Sequence, residues 1–103
     1  MIMQNTQIFI QNRANPILTT HAKKRSQQRG VNEKLVKLVA VHGKSEHAYQ
    51  GHLLRTLRKK EIQKLLHYGL IKPADVDNLK GLQVITNENP ERVLVITILN
   101  RNN

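Results

Sequence analysis

Near the start of this chain, His21, Arg25 and Arg29 recur at intervals of four residues. If the stretch from Thr20 to Gly30 is helical, that interval stacks all three side chains along one side. Thr20 predicts an N-cap, and Gly30 a stop able to take positive φ. Almost nothing apolar lies between them. Such a helix needs either a ligand on one face or acids for its arginines to explain its order. Metal-independent RNA cleavage requires a base for the 2′-hydroxyl, cations for the crowded phosphate and an acid for the leaving oxygen. Imidazole titrates near neutrality, which suits His21 to proton transfer. The planar forks of Arg25 and Arg29 suit phosphate oxygens.

Further contributors lie elsewhere in the chain. Lys24, Arg55, Arg58, Lys59 and Lys60 are candidate phosphate contacts, and Thr97 offers a hydroxyl from a central strand. Each has a structural alternative. His21 can simply bond a neighbouring loop, and Arg25 and Arg29 can pair with Glu33 or another acid, tying two helices together. Thr97 at that position is more commonly a β-branched residue of a core strand, and Lys59 and Lys60 are solvated lysines at a helix start. His42 suits a packed helix end, where an imidazolium complements the dipole. His47, His52 and His67 lack zinc-like spacing, so no metal and no cofactor are expected. No P-loop, dinucleotide fingerprint, paired acidic site or nucleophile elbow occurs.

Charge narrows the function classes. The chain has 103 residues and a formal charge of +10, and the excess is local. From His21 to Lys64 there are twelve basic and three acidic residues, whereas from Leu65 onward there are four of each. A basic half beside a neutral one is the footprint of a polyanion binder, nucleic acid or an acidic protein. With two Tyr, one Phe and no Trp, stacking platforms are scarce, so recognition should be led by phosphates. No Cys is present, which excludes disulfides and thiolate metal sites. Met1-Ile2-Met3-Gln4 lacks the apolar stretch of a signal peptide, and no run approaches a membrane span. A cytoplasmic protein without a membrane partner is the expectation.

One domain must position these residues. Residues 1–19 form an opening segment in which Gln7–Gln11 could make a short edge strand, broken by Asn12, Asn15 and Pro16. The domain proper is expected over 20–100, with a frayed tail at 101–103. A second helix opens at Asn32, carries Leu35, Val36, Leu38 and Val39 inward, and stops at Gly43. Lys44–Tyr49 and His52–Leu57 read as strands around a Gln50-Gly51 turn. Arg58–Tyr68 reads as a third helix, and Ala74–Leu79 as one helical turn. Leu82–Thr86 and Val93–Leu99 are the clearest strands, joined by the turn formers of Asn87–Glu91. The second is apolar on both faces, as an interior strand should be. The order gives an α+β fold: two N-terminal helices on a four-stranded antiparallel sheet, with a further helix between the strand pairs.

The motif His21-Ala22-x-x-Arg25-x-x-x-Arg29-Gly30-Val31 is followed by Gly43, Leu57-Arg58-Lys59-Lys60-Glu61, Gly81-Leu82-Gln83-Val84 and Val95-Ile96-Thr97. In that order they resemble a bacterial domain-of-unknown-function family similar to the barnase–EndoU–colicin–RelE (BECR) ribonuclease toxins. The resemblance covers about residues 18–100. It implies a RelE-like arrangement of helices against an antiparallel sheet. More weakly, it implies RNA cleavage, ribosome-associated or not, and an acidic antitoxin as partner. RelE-like toxins rely largely on Arg and Lys, so one matched histidine is compatible with that chemistry. Two readings stand open: a toxin-like metal-independent endoribonuclease, or a non-catalytic module binding nucleic acid or an acidic partner on the same fold.

Overall fold

The computed structural model describes residues 15–100. Its elements in order are β1 (Ile17–Leu18), α1 (Thr20–Gln28), α2 (Glu33–His42), β2 (Lys44–His47), β3 (Leu53–Thr56), α3 (Lys59–His67), a 3₁₀ turn (Pro73–Asp75) running into α4 (Val76–Leu79), β4 (Leu82–Asn89) and β5 (Arg92–Asn100). The class is α+β, as the patterning predicts. The strand expected at Gln7–Gln11 and the tail at 101–103 lie outside the described residues.

The sheet differs from the expected four antiparallel strands. Among the described residues it has five, in the order β1-β5-β4-β3-β2, and β1 runs parallel to β5 with Ile17 beside Leu94 and Leu18 beside Val95. Ile17 and Leu18 therefore extend the sheet at its β5 edge. A strand of two residues shows no alternation by which sequence could reveal it. The β4–β5 hairpin is also longer than the turn residues suggest: pairing runs to Asn89 and Arg92. Asn89 Oδ1 closes the tight turn by accepting from the backbone N–H of Glu91 and of Arg92, each at 2.9 Å.

Local chemistry explains where the helices start and stop. Thr19, in extended conformation, caps α1 by accepting from the Ala22 N–H at 3.1 Å, so the cap falls one residue before Thr20. Gly30 takes φ +65° as the chain leaves α1, a conformation that strains residues with a Cβ. The Ser26 hydroxyl, buried, donates to the Val31 carbonyl and fixes the connection to α2. Asn32 caps α2 by accepting from the Lys34 N–H at 2.8 Å. Gly43 ends α2 for a different reason. Its φ is ordinary, but a Cβ there would stand 2.6 Å from the Val39 carbonyl oxygen and 2.9 Å from the Thr56 nitrogen. Only glycine lets the helix end approach β3 that closely.

Helix α2 buries Leu35, Val36, Val39 and Ala40 against the sheet, whose Leu82, Val84, Val93, Val95 and Ile98 complete the core. Burying each Leu, Val or Ile of that set contributes roughly 1.5–3 kcal/mol. A β-bulge governs which residues of β5 face that core. Thr86 pairs with Val95 but Ile85 pairs with Thr97, leaving Ile96 extra. The inward series thus passes from Val95 to Ile98, and Thr97 falls beside Ile85 on the other face. Ile85 is buried, yet it stands apart from the core cluster, consistent with that assignment.

Candidate functional site

Thr19 joins the start of α1 to the bulged strand by three hydrogen bonds. Its N–H donates to the Val95 carbonyl at 3.0 Å, and its hydroxyl donates to the Ile96 carbonyl at 3.1 Å. The same hydroxyl oxygen accepts the capping bond from Ala22. One side chain thereby fixes the first turn of α1 at the bulge. His21 lies two residues on, and its Nε2 stands 3.1 Å from Thr97 Oγ1. The bulge that turns Thr97 away from the core presents its hydroxyl where this imidazole reaches it. His21 itself is exposed and Thr97 is half-buried.

The rest of α1 follows from its buried stripe. Ala22 and Ser26 face inward, so His21, Arg25 and Arg29 form the adjacent stripe, along the margin of the helix contact. Arg25 and Arg29 are half-buried, and Arg29 sits at the C-cap, where its N–H donates to the Arg25 carbonyl at 3.0 Å. Among the described residues neither guanidinium makes a hydrogen bond or an ion pair, and the expected alternative of pairing with Glu33 is not formed. Partial burial of the stems with uncompensated charged heads leaves both forks available to an anion. Lys23 and Lys24 are exposed on the same helix.

The remaining candidates are distributed elsewhere. Arg55 is held inside: its Nε and one terminal nitrogen donate to the Glu88 carboxylate at 2.9 and 2.6 Å. Its other nitrogen donates to the Gly43 carbonyl at 2.9 Å, and the Thr86 hydroxyl donates to Glu88 at 2.5 Å. Register explains this, because Arg55 pairs with Val84 and so shares the helix-covered face with Thr86 and Glu88. Sequence reading offered Arg55 as a phosphate contact; the fold gives it an internal carboxylate instead. Arg58 is engaged by Glu61, whose carboxylate also accepts the Arg58 N–H at 2.7 Å and caps α3. Those hydrogen bonds hold the Glu61 carboxyl below its usual range and raise Arg58. Lys59 and Lys60 are exposed at the start of α3. Burial pushes the His42 imidazole below its ordinary value, so it suits the neutral form more than an end-capping cation.

The fold therefore brings His21 and Thr97 together, with Arg25 and Arg29 along the same helix, and does not add Arg55 to them. Sequence reasoning missed Thr19 and Glu88. The Thr19-Thr20 doublet carried an ambiguous signal for the first; nothing local marked the second. No cluster of three or more His, Cys, Asp or Glu suited to a metal ion occurs among the described residues, and no helix there is long and apolar enough to cross a membrane. Compared with family models, curated proteins and solved structures, the chain finds no match in any of the three.

Proposed function

We propose that the α1–β5 edge binds a phosphodiester and cleaves RNA without a metal, on a fold of BECR type. The observation that supports this most is the His21–Thr97 hydrogen bond at the head of a stripe whose two arginines have no partners among the described residues. When Nε2–H donates to the Thr97 hydroxyl, Nδ1 is the free base, held in one tautomer. That nitrogen takes the proton of the 2′-hydroxyl, and the 2′-oxygen attacks phosphorus. Arg25 and Arg29 stabilise the charge gathering on the phosphoryl oxygens. The 5′-oxygen departs with a proton from water, leaving a 2′,3′-cyclic phosphate, and the imidazolium then returns its proton to the hydroxide that water became. Such a reaction needs access to RNA, free or on a ribosome, and hence a cytoplasmic setting.

Incubation with RNA in EDTA tests the reading. Cleavage to cyclic phosphate ends is expected, falling roughly a hundredfold or more in His21→Ala and in Arg25→Ala. RNA that stays intact at every salt concentration and pH overturns it.

One observation favours a second reading, a non-catalytic binder. Within the His21, Arg25, Arg29 and Thr97 set, His21 is the only side chain of the acid–base type, and with it placed as the base the leaving oxygen has no dedicated acid. In that case RNA is bound but uncut. Log affinity then falls with log salt by about 0.7 per neutralised phosphate on single strands. Uncut RNA with a salt slope that drops by about one such step in Arg25→Ala selects this reading over the first.

A further inference from the structure

The two faces of the sheet differ in what they meet. One presents Leu82, Val84, Val93, Val95 and Ile98 to the helices of the core. Strand pairing fixes what lies on the other: Ile17 beside Leu94, Leu54 beside Ile85, and Leu99 beside Gln83. An antiparallel sheet that turns a face to water ordinarily carries polar side chains there. This one carries aliphatics on β1, β3, β4 and β5 instead. Their exposure is graded across the face. Ile85 at the centre keeps 3%, Leu54 and Leu94 are half-buried, and Leu99 and Ile17 at the margins keep 40% and 51%. Ile85 does not owe its burial to the core cluster, of which it is no member.

We infer that residues 1–14 of this chain cover the centre of that face, with the run Ile8-Phe9-Ile10 over Leu54 and Ile85. Position, reach and composition select this occupant. The segment leads into the sheet at Ile17, which stands on the same face at its β1 edge. Fully extended, the chain from Ile17 back to Ile10 spans about 23 Å. Three inter-strand spacings separate β1 from β3, a distance of about 14 Å, so the run reaches Leu54 with slack. Ile2, Met3, Ile8, Phe9 and Ile10 supply apolar surface, and Arg13 is the segment's sole charged residue. Such a segment matches an uncharged aliphatic face, and covering that face removes both apolar surfaces from water. A second copy would instead bring a further +10 to the same contact. The inference goes beyond the RNA reading and uses none of its four residues.

The chain holds no Cys, so Gln7→Cys provides a single thiol for a nitroxide on the full-length protein. Paramagnetic broadening of amide resonances should be strongest at Leu54 and Ile85 and weaker on α2, behind the sheet. Broadening centred on the helices or on the outer edge of β2 overturns the proposal. So does broadening in isotope-labelled chains that carry no nitroxide, mixed with chains that do, because the face then belongs to a second copy. Trypsin gives an independent reading, since Arg13 is the one basic residue of the segment and docking shields it. Ile8→Ser/Phe9→Ser, and separately Leu54→Gln on the face itself, should each speed release of the N-terminal fragment by about tenfold. Amide shifts of α2 that match the parent verify that the core of each variant is intact. Cleavage at the parent rate in Ile8→Ser/Phe9→Ser overturns the proposal. None of these measurements involves RNA, so their outcome is independent of whether the protein cuts it.

Discussion

Two sets of arginines, one along α1 and one on β3, started from the same sequence-level suspicion and met opposite fates. Arg25 and Arg29 sit on a helix whose inward stripe is Ala22 and Ser26, and among the described residues no carboxylate pairs with them. Arg55 sits on a strand whose register places it beneath α2, and there Glu88 and the Gly43 carbonyl accept from it while Thr86 donates to the same Glu88 carboxylate. The lesson concerns where a cation can act. A guanidinium on the helix-covered face must be neutralised internally to be tolerated, so it becomes part of the fold. One at the margin of a helix contact buries its stem, keeps its head in water and remains available to a ligand.

The contrast breaks most directly at Glu88. Side-chain exposure is 13% for Arg55 and 8% for Glu88, so removing one partner leaves a charge shielded from solvent without compensation. Glu88→Ala should destabilise by about 3 kcal/mol in urea unfolding. Arg25→Ala and Arg29→Ala should stay within about 0.5 kcal/mol of the parent. Arg55→Met/Glu88→Leu, which removes both charges, should recover much of the loss. Equal costs at Arg25 and Glu88 would erase the distinction between the two sets.

A smaller effect sharpens the comparison on the α1 side. Thr19 caps the helix and ties it to the bulge with one hydroxyl. Thr19→Val keeps the β-branched shape and removes both bonds, at a cost of about 1–2 kcal/mol. Thr19→Ser, which retains the hydroxyl, should restore most of it. The same substitution releases the anchor that sets His21 against Thr97, so the imidazole resonances of His21 should shift in Thr19→Val and return in Thr19→Ser. Unchanged His21 resonances in Thr19→Val would mean that the bulge alone sets this pair.

Much of this was legible because it is local. Asn32 and Gly30 announce the helix limits, and the alternation of β4 and the two-sided apolarity of β5 announce an α+β sheet. The bulge at Ile96 accounts for part of that two-sidedness, since it shifts the inward series by one residue. The illegible parts depend on contacts across long stretches of chain. His21 meets Thr97 across 76 residues, and Arg55 meets Glu88 across 33. Spacing along one helix could suggest the first set as a stripe. Only the β3–β4 register could have shown that Arg55 was committed to the interior.

The smallest effect separates two titrating groups rather than two arginines. Burial depresses His42 from its ordinary 6.5, so in the folded protein it resists the proton that the unfolded chain accepts. The unfolded state therefore binds more protons, and stability rises with pH in that window. His42's contribution is complete above pH 6.5 and is lost progressively below it, down to the lower folded value. Glu61 follows the same direction for the opposite chemical reason: Arg58 stabilises its charged form, and its contribution fades only below its ordinary 4.5. Because Glu61 and Arg58 lie near solvent, screening keeps that second effect slight. Urea midpoints measured from pH 7.5 down to 5 should thus fall less steeply in His42→Gln than in the parent chain, whereas Glu61→Gln should leave that slope unchanged and alter only the more acidic range. Parallel slopes for His42→Gln and the parent would show that α2 tolerates a charged imidazole at its end, in the manner of the solvent-facing cations on α1.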